Sequence, residues 1–146
     1  MTQRVDYAKA APDGLKAMFG VEQYLLKSLD KTLLHLVKLR ASQINGCAFC
    51  IDMHWKEARK AGEAEHRLYG LDAWRESPWY NERERAALAW TEALTLISQT
   101  HAPDEVFEQV RAQFNDKELA DLSWAIAAIN AWNRIAIGFR SVPTGG

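Results

Sequence analysis

Apolar residues recur along most of this chain at spacings of three and four, the period of a helix that packs on one side. The clearest stripe consists of Leu33, Leu36, Val37, Ala41 and Ile44. No segment sustains the alternation of apolar and polar residues that is typical of a strand. The pattern therefore predicts an all-α protein of about six or seven helices.

Capping and turn residues place the helix boundaries. Asp30 is a favoured N-cap for the helix that carries this stripe, and the Asn-Gly dipeptide at 45–46 ends it. Asn81 followed by Glu84 resembles a capping box, which predicts a long helix running to about Ser98. The other expected elements are a helix from residue 12, a helix over 47–60, a short helix over 65–69, a turn or loop over 71–80, a helix over 103–114 and a last helix over 117–139 capped by Asp116.

The six tryptophans divide into two groups. Trp90, Trp124 and Trp132 fall in apolar helices, so we expect them in the core. The other three have less obvious core positions. Ordinary partial burial and contact with another subunit would explain those three equally well.

Length and charge narrow the class of protein. A chain of 146 residues is long enough for one domain with its own core, so we expect a single domain over residues 1–146. The formal net charge of −1 does not indicate a nucleic-acid or anionic membrane partner. No apolar run approaches the roughly 20 residues of a membrane span, and residues 1–11 lack the apolar core of a signal peptide. We therefore expect a cytoplasmic protein.

The candidate chemistry lies in residues 42–54, which contain both cysteines and one of the four histidines. The turn at 45–46 allows a new helix to begin near Cys47. Residues three or four apart share a helix face with about 5–6 Å between Cβ atoms, so Cys47 should face Cys50 and Cys50 should face His54. A disulfide needs Cα atoms about 4.4–6.8 Å apart, which this spacing provides.

The start of a helix favours a reactive sulfur. Its unpaired N–H groups and partial positive charge stabilise a thiolate, and a nearby imidazolium adds to the effect. A thiolate is the form that attacks peroxides and disulfides. A permanent disulfide is not expected in a reducing compartment. The sequence thus predicts a redox-active dithiol of Cys47 and Cys50, with His54 handling protons.

Two other interpretations of the pair stay open from the residues alone. Both cysteines could pack as small buried hydrophobes. Alternatively, Cys47, Cys50 and His54 could bind zinc together with His35, although His35 would then be a lone upstream ligand. The two remaining histidines, His66 and His101, fall near expected helix ends and should lie at the surface.

Residues 36–54, LVKLRASQINGCAFCIDMH, resemble the core of the alkylhydroperoxidase D-like (AhpD-like) proteins within the carboxymuconolactone decarboxylase family. The similarity continues through residues 56–62 and recurs at 81–95 and 133–140. The resemblance implies an all-α fold, a homo-oligomer such as a trimer or hexamer, and peroxidase activity without a bound organic cofactor. The partners it implies are a hydroperoxide substrate and an external dithiol or thiol reductant.

The same resemblance implies a role for each residue of the motif. Cys50 would react with the peroxide, Cys47 would resolve the product, and His54 would belong to a proton relay. That relay also uses a glutamate twelve residues before the first cysteine, a position that His35 occupies in this chain. Either His35 takes over this part, or another carboxylate such as Glu92 supplies it, or the relay is weaker.

Two other functions compete with the peroxidase hypothesis. The first is decarboxylation or isomerisation of a lactone, the chemistry for which the family is named and which needs no cysteine pair. The second is a non-enzymatic role as a thiol redox sensor or as an oligomeric scaffold. A cysteine pair that oxidises once and that no donor reduces would favour this second role.

Overall fold

Helices form all of the regular secondary structure in a computed structural model that describes residues 1–146. In chain order they are α1 (Tyr7–Ala10), α2 (Pro12–Ser28), α3 (Lys31–Asn45), α4 (Ala48–Lys60), α5 (Glu65–Tyr69), a 3₁₀ helix (Leu71–Glu76), α6 (Glu82–Thr95), α7 (Ile97–Thr100), α8 (Asp104–Arg111) and α9 (Asp116–Gly138). The all-α prediction is confirmed. Six helices have eight residues or more, and four short ones bring the total to ten.

Several helix ends follow the expected capping chemistry. The Asp30 side chain accepts a hydrogen bond from the Leu33 N–H at 3.0 Å and caps α3. Asn81 and Glu84 form the predicted capping box of α6. Gly46 ends α3 in the left-handed region, with φ 70°, where a residue without a Cβ is unstrained.

Three boundaries differ from the sequence-based expectation. The N-cap of α9 is Asn115, which forms a capping box with Glu118, and Asp116 is the first helical residue. The segment expected as a turn or loop begins with the 3₁₀ helix, in which Leu71 and Trp74 are buried. Burial of these two side chains explains why the segment is ordered into a helix. Finally, the helix expected to reach residue 98 is divided into α6 and α7.

The core is built around α3, which packs against α4, α6 and α9. The predicted stripe on α3 supplies Leu33, Leu36 and Val37 to it, all nearly or completely buried. One apolar cluster joins α3 to α6, α8 and α9, and a second joins α3 to α4, the 3₁₀ helix and α6. This packing fixes the first and middle turns of α3, the helix that leads to Cys47.

Trp124 was expected in the core, but 63% of it is exposed. The buried face of α9 contains Leu122, Ile126 and Ile129. Because successive residues turn by about 100°, Trp124 lies almost opposite Leu122 on the helix. The prediction was wrong because the apolar residues of α9 surround the helix, so that their composition alone does not reveal which face is buried.

A buried polar network joins α3 to α9. Asn133, which is fully buried, donates to the Ser42 hydroxyl at 3.0 Å, and Ser42 in turn donates to the Lys38 carbonyl at 2.7 Å. The Asn45 side chain donates to the side-chain oxygens of Asn133 at 2.8 Å and Asn130 at 2.9 Å. The network therefore anchors the last turn of α3, immediately before the cysteines, to α9.

Replacing Asn133 by alanine should lower the free energy of unfolding by about 2 kcal/mol, because partners in a buried network lose their bonds. Urea unfolding followed by circular dichroism measures this change. Gln109→Ala removes an exposed amide from α8 and should change the unfolding free energy by less than about 0.5 kcal/mol. Equal stability of the two variants would contradict an anchoring role for the network.

No helix combines the length with the apolar character that a bilayer crossing requires.

Candidate active site

The cysteine pair lies at the start of α4, as predicted. Cys47 is the N-cap residue, and its sulfur accepts a hydrogen bond from the backbone N–H of Cys50 at 3.3 Å. The two cysteines form a disulfide with 5.3 Å between their Cα atoms, and each is 1% exposed. The helix start thus brings the two sulfurs together without any contribution from distant segments.

A cavity of about 700 Å³ opens beside the pair, among α2, α3, α4 and α9. Cys50 lines this cavity and Cys47 does not. Most of the wall is apolar, and its large apolar and aromatic side chains are Tyr7, Leu15, Phe19, Leu26, Leu34, Phe49, Met53 and Trp132. Of the two cysteines, Cys50 is therefore the one that a molecule in the cavity would meet.

His54 lines the same cavity one helical turn after Cys50, and it is 5% exposed. Its Nδ1 lies 3.3 Å from Oε2 of Glu57. A carboxylate can only accept a hydrogen bond, so Nδ1 carries the proton and Nε2 carries the lone pair when the ring is neutral. Nε2 is buried and has no hydrogen-bond partner.

The carboxylate of Glu57 stays ionised beside this ring. The hydrogen bond from His54 is the main reason that the pKa of Glu57 lies below its ordinary value, and the positive charge of Lys38 acts in the same direction. Burial opposes the shift but does not reverse it. Glu57 was not among the candidate residues, although its position three residues after His54 could have indicated the pairing.

His35 reaches the cavity from α3, partly buried. Burial is the main reason that its pKa lies below the ordinary value, and Lys38 and His54 lower it further while Glu57 opposes them. His35 is therefore predominantly neutral at physiological pH. Three of the four predicted site residues, Cys50, His54 and His35, thus line one cavity. The fourth, Cys47, does not line it and is bonded to Cys50.

The cavity wall also carries an ion pair that was not predicted from the sequence. Lys38 Nζ lies 2.6 Å from Glu22 Oε2, and Trp132 donates its indole N–H to the other oxygen of Glu22 at 3.0 Å. Nothing in the sequence marks Lys38 and Glu22 as partners, because they are sixteen residues apart on two helices.

Glu92 lies outside the cavity. Its carboxylate accepts hydrogen bonds from Arg40 at 3.1 Å and from the Trp74 indole at 2.8 Å, and it is also paired with Arg75. The Glu92 carboxylate is therefore bound to side chains that do not line the cavity.

His66 and His101 are exposed, as expected. No group of three or more His, Cys, Asp or Glu side chains is arranged to hold a metal ion.

The model of the carboxymuconolactone decarboxylase family matches residues 12–93, more than half of the chain. The chain belongs to this family. The uncharacterized protein YdfG of Bacillus subtilis (strain 168) is 47% identical over 138 residues, which are 94% of each chain. The match with the family includes α2, α3, α4 and the cysteine pair.

Solved structures extend the likeness to the whole AhpD-like fold. A protein of unknown function from Agrobacterium tumefaciens, with a suggested role as the antioxidant defence protein AhpD, is 51% identical and superposes with a TM-score of 0.96. That match covers 99% of this chain and 100% of the other. The debrominase Bmp8 is 21% identical, with a TM-score of 0.81 over 92% of this chain and 73% of its own, and shares the fold.

Proposed function

We propose that this family member is a thiol-dependent peroxidase that reduces hydroperoxides through the Cys47/Cys50 pair, with His54 in proton transfer. One observation supports the proposal above all: a cysteine pair that can form a disulfide lies next to a cavity, and Cys50 and the buried His54 line the same wall of that cavity. The resemblance to AhpD-like proteins points to the same chemistry.

The first step of the proposed cycle begins from the reduced pair. Nε2 of His54 takes the proton of the Cys50 thiol, and the thiolate attacks the distal oxygen of the hydroperoxide. The S–O bond forms as the O–O bond breaks, so Cys50 becomes a sulfenic acid and the peroxide is reduced by two electrons. His54 then returns its proton to the departing alkoxide, which leaves as an alcohol.

In the second step, the sulfur of Cys47 attacks the sulfur of the Cys50 sulfenic acid. The disulfide forms, and the hydroxyl group leaves as water with the proton from Cys47. An external dithiol then restores both thiols by exchange and is itself oxidised to a disulfide. The cycle requires no other reactant.

The dimensions of the cavity favour an organic substrate. A volume of about 700 Å³ lies in the range that holds drug-sized molecules, whereas hydrogen peroxide is barely larger than water. The apolar wall next to Cys50 suits the hydrocarbon part of an alkyl hydroperoxide, and a cytoplasmic location would supply the reducing thiols.

The proposal is tested by peroxide consumption with cumene hydroperoxide and a panel of dithiol donors, with protein thiols counted before and after. We expect two thiols per subunit to disappear on oxidation and to return with an effective donor. Alkylating the reduced protein beforehand should stop turnover. Lactone turnover that survives alkylation, with no peroxide consumed, would instead favour the decarboxylase or isomerase hypothesis.

We also infer that the protein forms a homo-oligomer, a trimer or hexamer, as the resemblance implies. Exposure of the large apolar side chains of Trp124 and Ile135 on α9 supports a subunit contact on that helix. Light scattering on the purified protein gives the number of subunits, and a monomeric mass at micromolar concentration would contradict the inference.

A further inference from the structure

Glu57 and His54 form a pair that α4 itself builds. They are three residues apart, so they share one face of the helix, and both line the cavity that contains Cys50. The Glu57 side chain is 53% exposed, whereas that of His54 is 6% exposed. The carboxylate therefore lies at the edge of the cavity and the ring lies inside it.

Lys31 and Lys60 also line the cavity, but an ammonium group has no acceptor and cannot take a hydrogen bond from the ring. The remaining charged groups near this pair are either paired or neutral. From α3, Lys38 is bound to Glu22 of α2, and His35 is kept neutral chiefly by burial. Glu63, which follows α4, is bound to Arg67 at 2.8 Å. This leaves Glu57 as the carboxylate that accepts from the imidazole of His54.

The bond to Glu57 leaves one ring nitrogen unused. Nε2 is buried and has no hydrogen-bond partner. A buried polar atom without a hydrogen bond destabilises the folded protein, so native structures rarely contain one that has no functional role. Because Nδ1 donates to Glu57, Nε2 is the basic nitrogen of the neutral ring. Cys50 lies one helical turn before it on the same cavity wall.

We propose that Glu57 is the positioning residue of this site: it holds His54 in the tautomer whose Nε2 accepts the Cys50 proton. The carboxylate then stabilises the imidazolium until the proton passes to the departing alkoxide. The inference rests on the proposed function for its catalytic consequence. It also explains how the site operates with His35, a neutral imidazole, at the position where the resemblance implies a glutamate.

The test compares Glu57→Ala and Glu57→Gln with a matched control, Glu108→Ala, which removes an exposed carboxylate from α8. The ring ¹⁵N shifts of His54 in the reduced protein report its tautomer. We expect Glu57→Ala to move the ring towards the Nε2–H form. Glu57→Gln should keep the Nδ1–H form, because the amide oxygen still accepts a hydrogen bond. The control should leave the shifts unchanged.

Turnover provides a second readout. With cumene hydroperoxide, Glu57→Ala should lower kcat/KM by about tenfold to a hundredfold, the range for losing a partner that orients a histidine. Glu57→Gln should retain more of kcat/KM than Glu57→Ala, because it keeps the orientation and loses only the charge. A merely structural role would not separate these two variants. The half-exposed position of Glu57 leaves the core intact in both of them.

Each outcome decides a different point. If Glu57→Ala keeps the wild-type tautomer and the wild-type kcat/KM, the positioning role is overturned. If the wild-type protein turns over no peroxide with any donor but Glu57→Ala still shifts the tautomer, the proposed function fails while the assignment of Glu57 as the partner that orients His54 stands.

Discussion

Replacing Cys50 by serine should lower kcat/KM for hydroperoxides by at least about a thousandfold, because it removes the attacking sulfur. Serine is close to cysteine in size, so the buried start of α4 should keep its packing. The assay is peroxide consumption with the dithiol that is most effective for the wild-type protein. Ala48→Ser is the matched control, since it adds a hydroxyl to the same turn at an exposed position without changing either sulfur.

Full turnover in the Cys50→Ser variant would contradict the assignment of the nucleophile. A partial loss shared with Ala48→Ser would contradict it as well, because the effect would then come from the added hydroxyl and not from the missing sulfur. Only a loss confined to Cys50→Ser identifies this sulfur as the atom that reacts with peroxide.

Replacing Cys47 by serine should stop the cycle after the first step. Serine is a favoured N-cap, so α4 should still begin at the same residue. We expect one equivalent of peroxide per subunit to be consumed rapidly, followed by at least a tenfold lower steady-state rate. Trapping with dimedone and mass spectrometry should then show a sulfenic acid on Cys50. If this variant fails to react with the first equivalent, the roles of the two cysteines are reversed.

Local signals were enough to predict the scaffold of the site. The apolar stripe of α3, the Asp30 cap and the left-handed Gly46 are encoded by residues close in sequence, and together they place Cys47 at the start of α4. The same signals cannot reveal which face of α9 is buried, because its apolar residues surround the helix. Trp124 was assigned to the core for that reason, and its exposure corrects the assignment.

The polar part of the site was predicted less completely. The spacing of Cys47, Cys50 and His54 along one helix was sufficient to bring them together. The carboxylate partner was sought near position 35 or at Glu92, whereas the structure places Glu57 beside His54. Pairs between helices, such as Lys38 with Glu22, depend on how α2 packs on α3 and leave no local pattern.

The capping position of Cys47 also bears on how the protein would withstand excess oxidant. In the proposed cycle the second sulfur already lies within one turn of the first, so closing the bond requires no unfolding of α4. The sulfenic acid is then short-lived, and further oxidation to the sulfinic and sulfonic acids, which ordinary thiols cannot reverse, has little time to occur. A burst of oxidant would leave most subunits in a form that a thiol donor can repair.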